Sequence, residues 1–276
     1  MLSRRWVGAW WASVFAGAIY GFGPLSLTLT AYHPTAGSIA AFIPWLFLPA
    51  AFHSQTRRRW ISYLSAAIPF VVIILFFNVA AYFRLFPIPV QLKLNLSDLP
   101  SLLTPLALAS EGQSRIFSFY HVPIAPLLIG LSMLLAARRF GILAILCVGL
   151  VLGFCCCILH VSPIIWLVIP LLCGSILVGA GMQAVTAAGF ADRMWLLGTA
   201  LVMALLSLLT LKLAFTFNRL FTQATEMYLL GAAVVFVLYF MARLMLRLPN
   251  VRWVLLCLAL AVDIFRCAQF IVDKLF

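Results

Sequence analysis

Residues 164–188 read IIWLVIPLLCGSILVGAGMQAVTAA, a run of 25 residues without a charged side chain. An α-helix rises about 1.5 Å per residue, so about 20 apolar residues cross the roughly 30 Å hydrocarbon core of a bilayer. Runs of similar length recur along the chain, in which 66% of the residues are hydrophobic and 9% are charged. The sequence therefore predicts an all-α, polytopic membrane protein with one integral-membrane domain over residues 1–276.

Nine apolar runs fit transmembrane helices, and most are joined by short connections. Their approximate ranges are residues 6–27, 36–53, 60–83, 118–137, 140–160, 164–188, 194–215, 227–246 and 253–272. The one long connection, at 84–117, has apolar and polar residues that alternate over 90–97, as in a strand with one apolar face. We expect a short structured outer loop that covers the bundle or lies on the membrane surface, and a lid over an outer cavity is the alternative.

Basic residues orient the predicted bundle. With the N-terminus inside, the inner segments hold eleven Lys and Arg residues and the outer segments hold six, three of them in the long loop. Cytoplasmic connections of membrane proteins carry the Lys/Arg excess. The distribution predicts an inner N-terminus and an outer C-terminus. We expect the membrane to be the bacterial cytoplasmic (inner) membrane.

The net charge of +12 lies in short clusters at the ends of the apolar runs. We interpret it as an orientation signal and as contacts with anionic lipid headgroups. No soluble segment is large enough to carry a nucleic-acid-binding face. The seven cysteines lie within apolar runs and have neither zinc nor disulfide spacing. We therefore expect the lipid bilayer as a partner, no nucleic acid and no cofactor.

The last predicted span carries the strongest polar signal. Asp263, Arg266 and Gln269 fall on one face of this helix, at 100° per residue. Asp263 lies near mid-membrane, where a charge costs at least about 2.5–3.5 kcal/mol on insertion scales. Arg266 is one turn away and in reach of an ion pair. The two charges predict either a path for an ion, a proton or a substrate, or an ion pair that docks the last helix on a neighbour.

The sixth run predicts a closely packed helix. Its regularly spaced small residues are Gly174, Gly181, Ala184 and Ala188. Small side chains let helix backbones approach each other in a membrane. Gln183 in this run and Asn78 in the third are lone polar residues, which either contact a substrate or form hydrogen bonds between helices.

Three of the four histidines fall at outer span ends, together with several carboxylates. They are His33, His121 and His160. Such groups bind a metal or relay protons when they converge. No pair of them has metal-ligand spacing, and span ends tolerate polar residues without a function. They are candidate ligands only, and the sequence predicts no metal site.

Three function classes fit these patterns. The first is a small permease or the membrane subunit of a transport complex, driven by a gradient or a partner ATPase because the chain has no nucleotide-binding loop. The second is a non-catalytic accessory or scaffold subunit of a larger membrane assembly, with other membrane subunits as partners. The third is a membrane-embedded enzyme with an outward-facing His/acid site, which ranks lower because no catalytic motif is present. A shared cavity for Asp263, Arg266, Gln183 and Asn78 would favour the permease.

Overall fold

The chain forms helices throughout the part that the structure describes. The computed structural model describes residues 7–23, 26, 34–46, 68, 71, 72, 75, 79, 127–131, 140–154, 166–188, 192–216, 220–246 and 248–275. The helices are α1 (Trp10–Phe22), α2 (Pro34–Leu46), α3 (Phe140–Phe154), α4 (Val168–Ala187), α5 (Arg193–Thr216), α6 (Leu220–Arg243) and α7 (Pro249–Leu275). Residues 127–131 are helical as well. The all-α prediction is confirmed for these residues.

Three helices of this described part are long and apolar enough to cross a membrane. They are α4, α5 and residues Phe221–Arg243 of α6. A shorter apolar helix covers Gly141–Gly153, within α3. The length and composition of these helices support a membrane-embedded bundle.

Helix α4 has the most neighbours among the described helices. It contacts α1, α2, α3 and α7, and 72% of its apolar stretch is buried, against 33% for α5 and for α6. Helices α5 and α6 form an antiparallel hairpin with the most extensive contact between any two helices described, and α7 packs against both α6 and α4. The hairpin leaves most of its apolar surface exposed, as expected for helices that face lipid.

The hairpin and α4 share one hydrophobic core. Met182 of α4, Met203 of α5 and Val235 of α6 belong to it and are each at most 3% exposed. Leu256 and Leu260 of α7 complete this core from the other side. The core therefore joins the four C-terminal helices.

Helix α6 begins earlier than the sequence predicts. The predicted eighth span starts at Met227, whereas the helix starts at Leu220 and ends at Arg243. The polar residues over 222–226 resemble a connecting segment in the sequence. In the structure they form the first turns of the helix, and two of them, Thr225 and Glu226, bond to side chains of neighbouring helices.

Some predicted features lie outside the described residues. These are the outer loop at 84–117, Asn78 and the three candidate histidines His33, His121 and His160.

Candidate functional site: polar contacts between the helices

Gln183 bonds to the start of another helix. Its Oε1 accepts hydrogen bonds from the backbone N–H groups of Gly8, at 2.8 Å, and Ala9, at 3.2 Å. The first N–H groups of a helix have no partner within the helix, and Ala9, the N-cap of α1, supplies no side-chain cap. Gln183 therefore caps α1 from α4, and this contact occupies the amide oxygen that a substrate would otherwise reach.

Arg252 ties two helix ends together. This residue of α7 is 5% exposed. Its Nη1 donates a hydrogen bond to the carbonyl of Ala188, the C-cap of α4, and its Nη2 donates to the carbonyl of Leu246, at 3.0 Å. Helix C-termini carry unpaired carbonyls and partial negative charge, so a cation stabilises them.

The Leu246 carbonyl is positioned by the turn that ends α6. Met245 has a φ of 54°, in the left-handed region. The N–H of Leu246 donates to the carbonyl of Met241 at 3.0 Å, and the N–H of Met245 donates to that of Ala242 at 3.3 Å. This is the Schellman pattern, in which glycine is the usual left-handed residue. The turn directs the carbonyl of Leu246 towards the guanidinium of Arg252.

A tryptophan pair lies at the same end of the bundle. The rings of Trp11 in α1 and Trp253 in α7 meet edge to face, with centroids 5.8 Å apart. We call this the Arg252 end of the bundle and define it by Gly8, Gln183, Ala188, Leu246 and Arg252. The starts of α1 and α7 and the ends of α4 and α6 therefore meet here.

Tyr20 compensates for a proline inside α2. Pro44 has no N–H, so the carbonyl of Ala40, four residues earlier, loses its helical partner. The hydroxyl of Tyr20 in α1 donates a hydrogen bond to that carbonyl. The carbonyl freed by Pro44 is therefore satisfied by a neighbouring helix.

Hydroxyl groups join α5 to α6. Thr225 Oγ1 donates a hydrogen bond to Thr210 Oγ1, at 3.0 Å, and Ser207 Oγ donates to the Thr225 carbonyl, at 3.2 Å. Thr210 is fully buried and Ser207 is 6% exposed. Such bonds between hydroxyl and carbonyl groups hold transmembrane helices together.

Arg266 pairs with Glu226, one of the carboxylates that the sequence places at an outer span end. Its Nη1 lies 2.7 Å from Oε2 of Glu226 on α6. Both side chains are exposed, 54% for Arg266 and 63% for Glu226. Gln269 is exposed on the same helix, and Asp263 is half-buried one turn before Arg266. The ion pair joins two helices, and we call its location the Glu226 end of the bundle.

The small residues of α4 lie in its buried surface. Gly174, Gly181 and Ala188 are buried, and Ala184 is half-buried. A Cβ at Gly130 would overlap the carbonyl oxygen of Leu177 and lie 3.2 Å from the Gly181 nitrogen. A Cβ at Gly179 would lie 2.9 Å from the Ala12 carbonyl oxygen. Two helical segments thus approach the α4 backbone at positions where a larger side chain has no room.

Of the candidate polar residues that the structure describes, Gln183 and Arg266 lie at different ends of the bundle. Gln183 belongs to the Arg252 end, and Arg266 to the Glu226 end. Since Arg266 follows Arg252 by fourteen residues on α7, the two arginines are about 21 Å apart along the helix axis. Within the described part of the chain, no group of three or more His, Cys, Asp or Glu side chains is placed to hold a metal ion.

Comparisons with known proteins return no relative: no protein-family model, no curated protein and no solved structure matches this chain.

Three of these contacts were missed by sequence reasoning. In the sequence, Arg252 indicates only the orientation of the chain, Glu226 is one of several carboxylates at outer span ends, and no pattern distinguishes Tyr20. Pro44 does indicate, from the sequence alone, that the carbonyl of Ala40 needs a hydrogen-bond donor from outside its own helix. No comparable local signal links Arg252 to Ala188 or Glu226 to Arg266, because these partners lie 64 and 40 residues apart in the chain.

Proposed function

We propose that the chain is a non-catalytic membrane subunit of a larger assembly. The observation that carries this proposal is the use of its polar side chains: Gln183, Arg252, Tyr20 and Thr225 each bond to a neighbouring helix. A permease needs polar groups that face a shared path. A scaffold needs them at helix contacts, where they specify the packing.

Exposed tryptophans support a membrane boundary at the Arg252 end. Trp10, Trp195 and Trp253 stand at the starts of α1, α5 and α7, and they are 65%, 56% and 37% exposed. Tryptophan is enriched where a bilayer meets water, and arginine is enriched in the segments on the cytoplasmic side of the membrane. Arg193 and Arg243 lie at the same ends of α5 and α6. These features favour a cytoplasmic Arg252 end.

The proposed topology has nine spans, an inner N-terminus, an outer C-terminus and an outer loop at 84–117, in the cytoplasmic (inner) membrane of a bacterium. Reporter fusions after Arg59, Arg139 and Arg252 are expected to be cytoplasmic. Fusions near Lys93 and at the C-terminus are expected to be outside. A cytoplasmic C-terminus would contradict the nine-span topology.

The subunit role is tested on the full chain in its native membrane. We expect native gels of gently solubilised membranes to place the chain in a complex well above its own mass of 30.5 kDa. We expect Gln183→Leu and Arg252→Met to lower the amount of that complex, because both loosen the bundle. Full assembly with either variant, or a monomeric wild-type chain, would contradict the proposal.

A second candidate function is a permease, and Asp263 favours it. This carboxyl group is half-buried and sits about 16 Å along α7 from Arg252, near mid-membrane. Intramembrane acidic residues often serve ion or proton paths. Arg266, three residues later, forms an ion pair with Glu226 on another helix. Its charge is therefore shared with Glu226 and does not neutralise Asp263 alone.

The two roles differ in how Asp263 responds to substitution. For a permease, Asp263→Asn is expected to fold normally and to abolish uptake, and Asp263→Leu with Arg266→Leu is expected to fold and remain inactive. For a subunit, Asp263→Asn is expected to retain its function wherever it folds. Folded yield, thermal stability and the rescue of a deletion strain are the measurements. A fully active double leucine variant would remove the permease role of this pair.

A further inference from the structure

The surface around Glu226 and Arg266 combines charges with apolar surroundings. Four exposed polar residues, spaced three apart on α6 and α7, form what we call the polar strip: Gln223, Glu226, Arg266 and Gln269. Within a turn of the two charges, Leu229 is 60% exposed, Val262 42% and Phe265 68%. An exposed ion pair therefore lies between exposed polar and exposed apolar side chains of α6 and α7.

The depth of this ion pair follows from α7. Arg266 is about 21 Å along the helix from Arg252, so it lies roughly 9 Å inside the far edge of a 30 Å hydrocarbon core if Arg252 marks the near edge. Charged side chains at such depth normally face protein or water. Glu226 holds the Arg266 guanidinium at 2.7 Å, which opposes its extension towards the membrane surface.

We propose that the polar strip is the contact surface for a second copy of this chain, related by a two-fold axis along the membrane normal. This inference rests on the proposed membrane placement, and it names one partner of the proposed assembly.

Charge complementarity identifies the second copy as the occupant. Glu226 and Arg266 lie at the same depth because they bond to each other. A two-fold rotation about the membrane normal keeps that depth and brings Glu226 of each copy opposite Arg266 of the other. Guanidinium has five N–H donors in a planar fork, so one arginine can bind two carboxylates. Gln223 and Gln269 carry both a donor and an acceptor and are likewise self-complementary.

The test uses two differently tagged full-length copies, co-expressed and captured through one tag from gently solubilised membranes. We expect wild-type copies to capture each other. We expect Glu226→Arg copies, or Arg266→Glu copies, to capture their own kind about tenfold less, because like charges then meet. We expect a Glu226→Arg copy mixed with an Arg266→Glu copy to recover capture, since every contact across the axis is again between opposite charges.

Arg243→Glu is the matched control, because Arg243 is exposed at the other end of α6. It is expected to leave capture unchanged. Wild-type copies that do not capture each other would overturn the proposal. Charge variants that still self-associate, or a folded mixed pair that captures no better than the like pairs, would also overturn it.

A cross-linking measurement keeps the charges intact in case the charge variants fold poorly. Under mild oxidation, Gln269→Cys is expected to form covalent dimers above the wild-type background, whereas Leu205→Cys, on the exposed face of α5, is not. Absence of a Gln269→Cys dimer would overturn the proposal. Alkaline extraction of the same membranes distinguishes failure of the dimer from failure of the membrane placement. A chain that resists extraction but is monomeric contradicts the dimer alone. A chain that alkali extracts contradicts the membrane placement.

Discussion

Arg252 donates a hydrogen bond to the carbonyl of Ala188, which lies 64 residues earlier in the chain. The same guanidinium binds Leu246 at 3.0 Å, so one buried cation holds the C-terminal ends of α4 and α6 beside the start of α7. The carbonyls around it attract a cation and repel an anion. This arrangement fits a structural tie better than an anion-binding site.

Arg252→Met is expected to destabilise the bundle strongly. It leaves two carbonyls without a donor, at a cost of about 1–3 kcal/mol for each acceptor that stays buried. Arg252→Lys keeps the charge but lacks the planar fork, so its loss is expected to be smaller. Thermal unfolding in detergent measures both variants. Arg243→Met, exposed at the end of α6, is the control, and an equal loss in that control would contradict the role of Arg252.

Tyr20→Phe is expected to cost about 1–3 kcal/mol, because the Ala40 carbonyl then stays buried without a donor. Pro44→Ala restores a backbone N–H that can serve the same carbonyl. In the Pro44→Ala background, Tyr20→Phe is therefore expected to lower the free energy of unfolding by less than half of what it does in the wild-type background. A double-mutant cycle of thermal stabilities measures this coupling. Equal costs in the two backgrounds would mean that Tyr20 does not compensate for the proline.

Met245→Gly is expected to stabilise the protein by about 1 kcal/mol, because a left-handed backbone strains a residue with a side chain and suits glycine. The gain is read as a rise in the unfolding temperature. Met227→Gly, within α6, is the matched control and is expected to lower the stability of the protein by about 1 kcal/mol. A loss at both positions would show that contacts of the Met245 side chain outweigh the backbone strain.

Gly130→Ala is expected to lower the folded yield sharply, since the added methyl group would overlap the Leu177 carbonyl oxygen. Overpacking of this kind costs about 1–3 kcal/mol, and more where a backbone must move. Gly198→Ala, with nothing within 4 Å of the new Cβ, is expected to gain up to about 1 kcal/mol from helix propensity. Fluorescence-detected size exclusion compares the two. Equal yields would contradict close packing at Gly130.

The sequence by itself determined the helical class and the apolar helices. Long runs of apolar residues, such as 164–188, satisfy their backbone groups only as helices when water is absent, so composition and length suffice to predict α4 and α5. The boundary of α6 was predicted less well, because Thr225 and Glu226 resemble a connecting segment until their partners on other helices are known.

The tertiary structure decided the partners of the polar residues. Gln183 was a candidate for substrate contact, and the structure instead bonds it to Gly8 and Ala9. Arg266 was matched to its helix neighbour Asp263, and the structure adds Glu226 on α6. The physical reason is the same in both cases. Periodicity along one helix reports which face a residue occupies, whereas hydrogen bonds between helices depend on which helix packs against that face, and residues distant in the chain decide this.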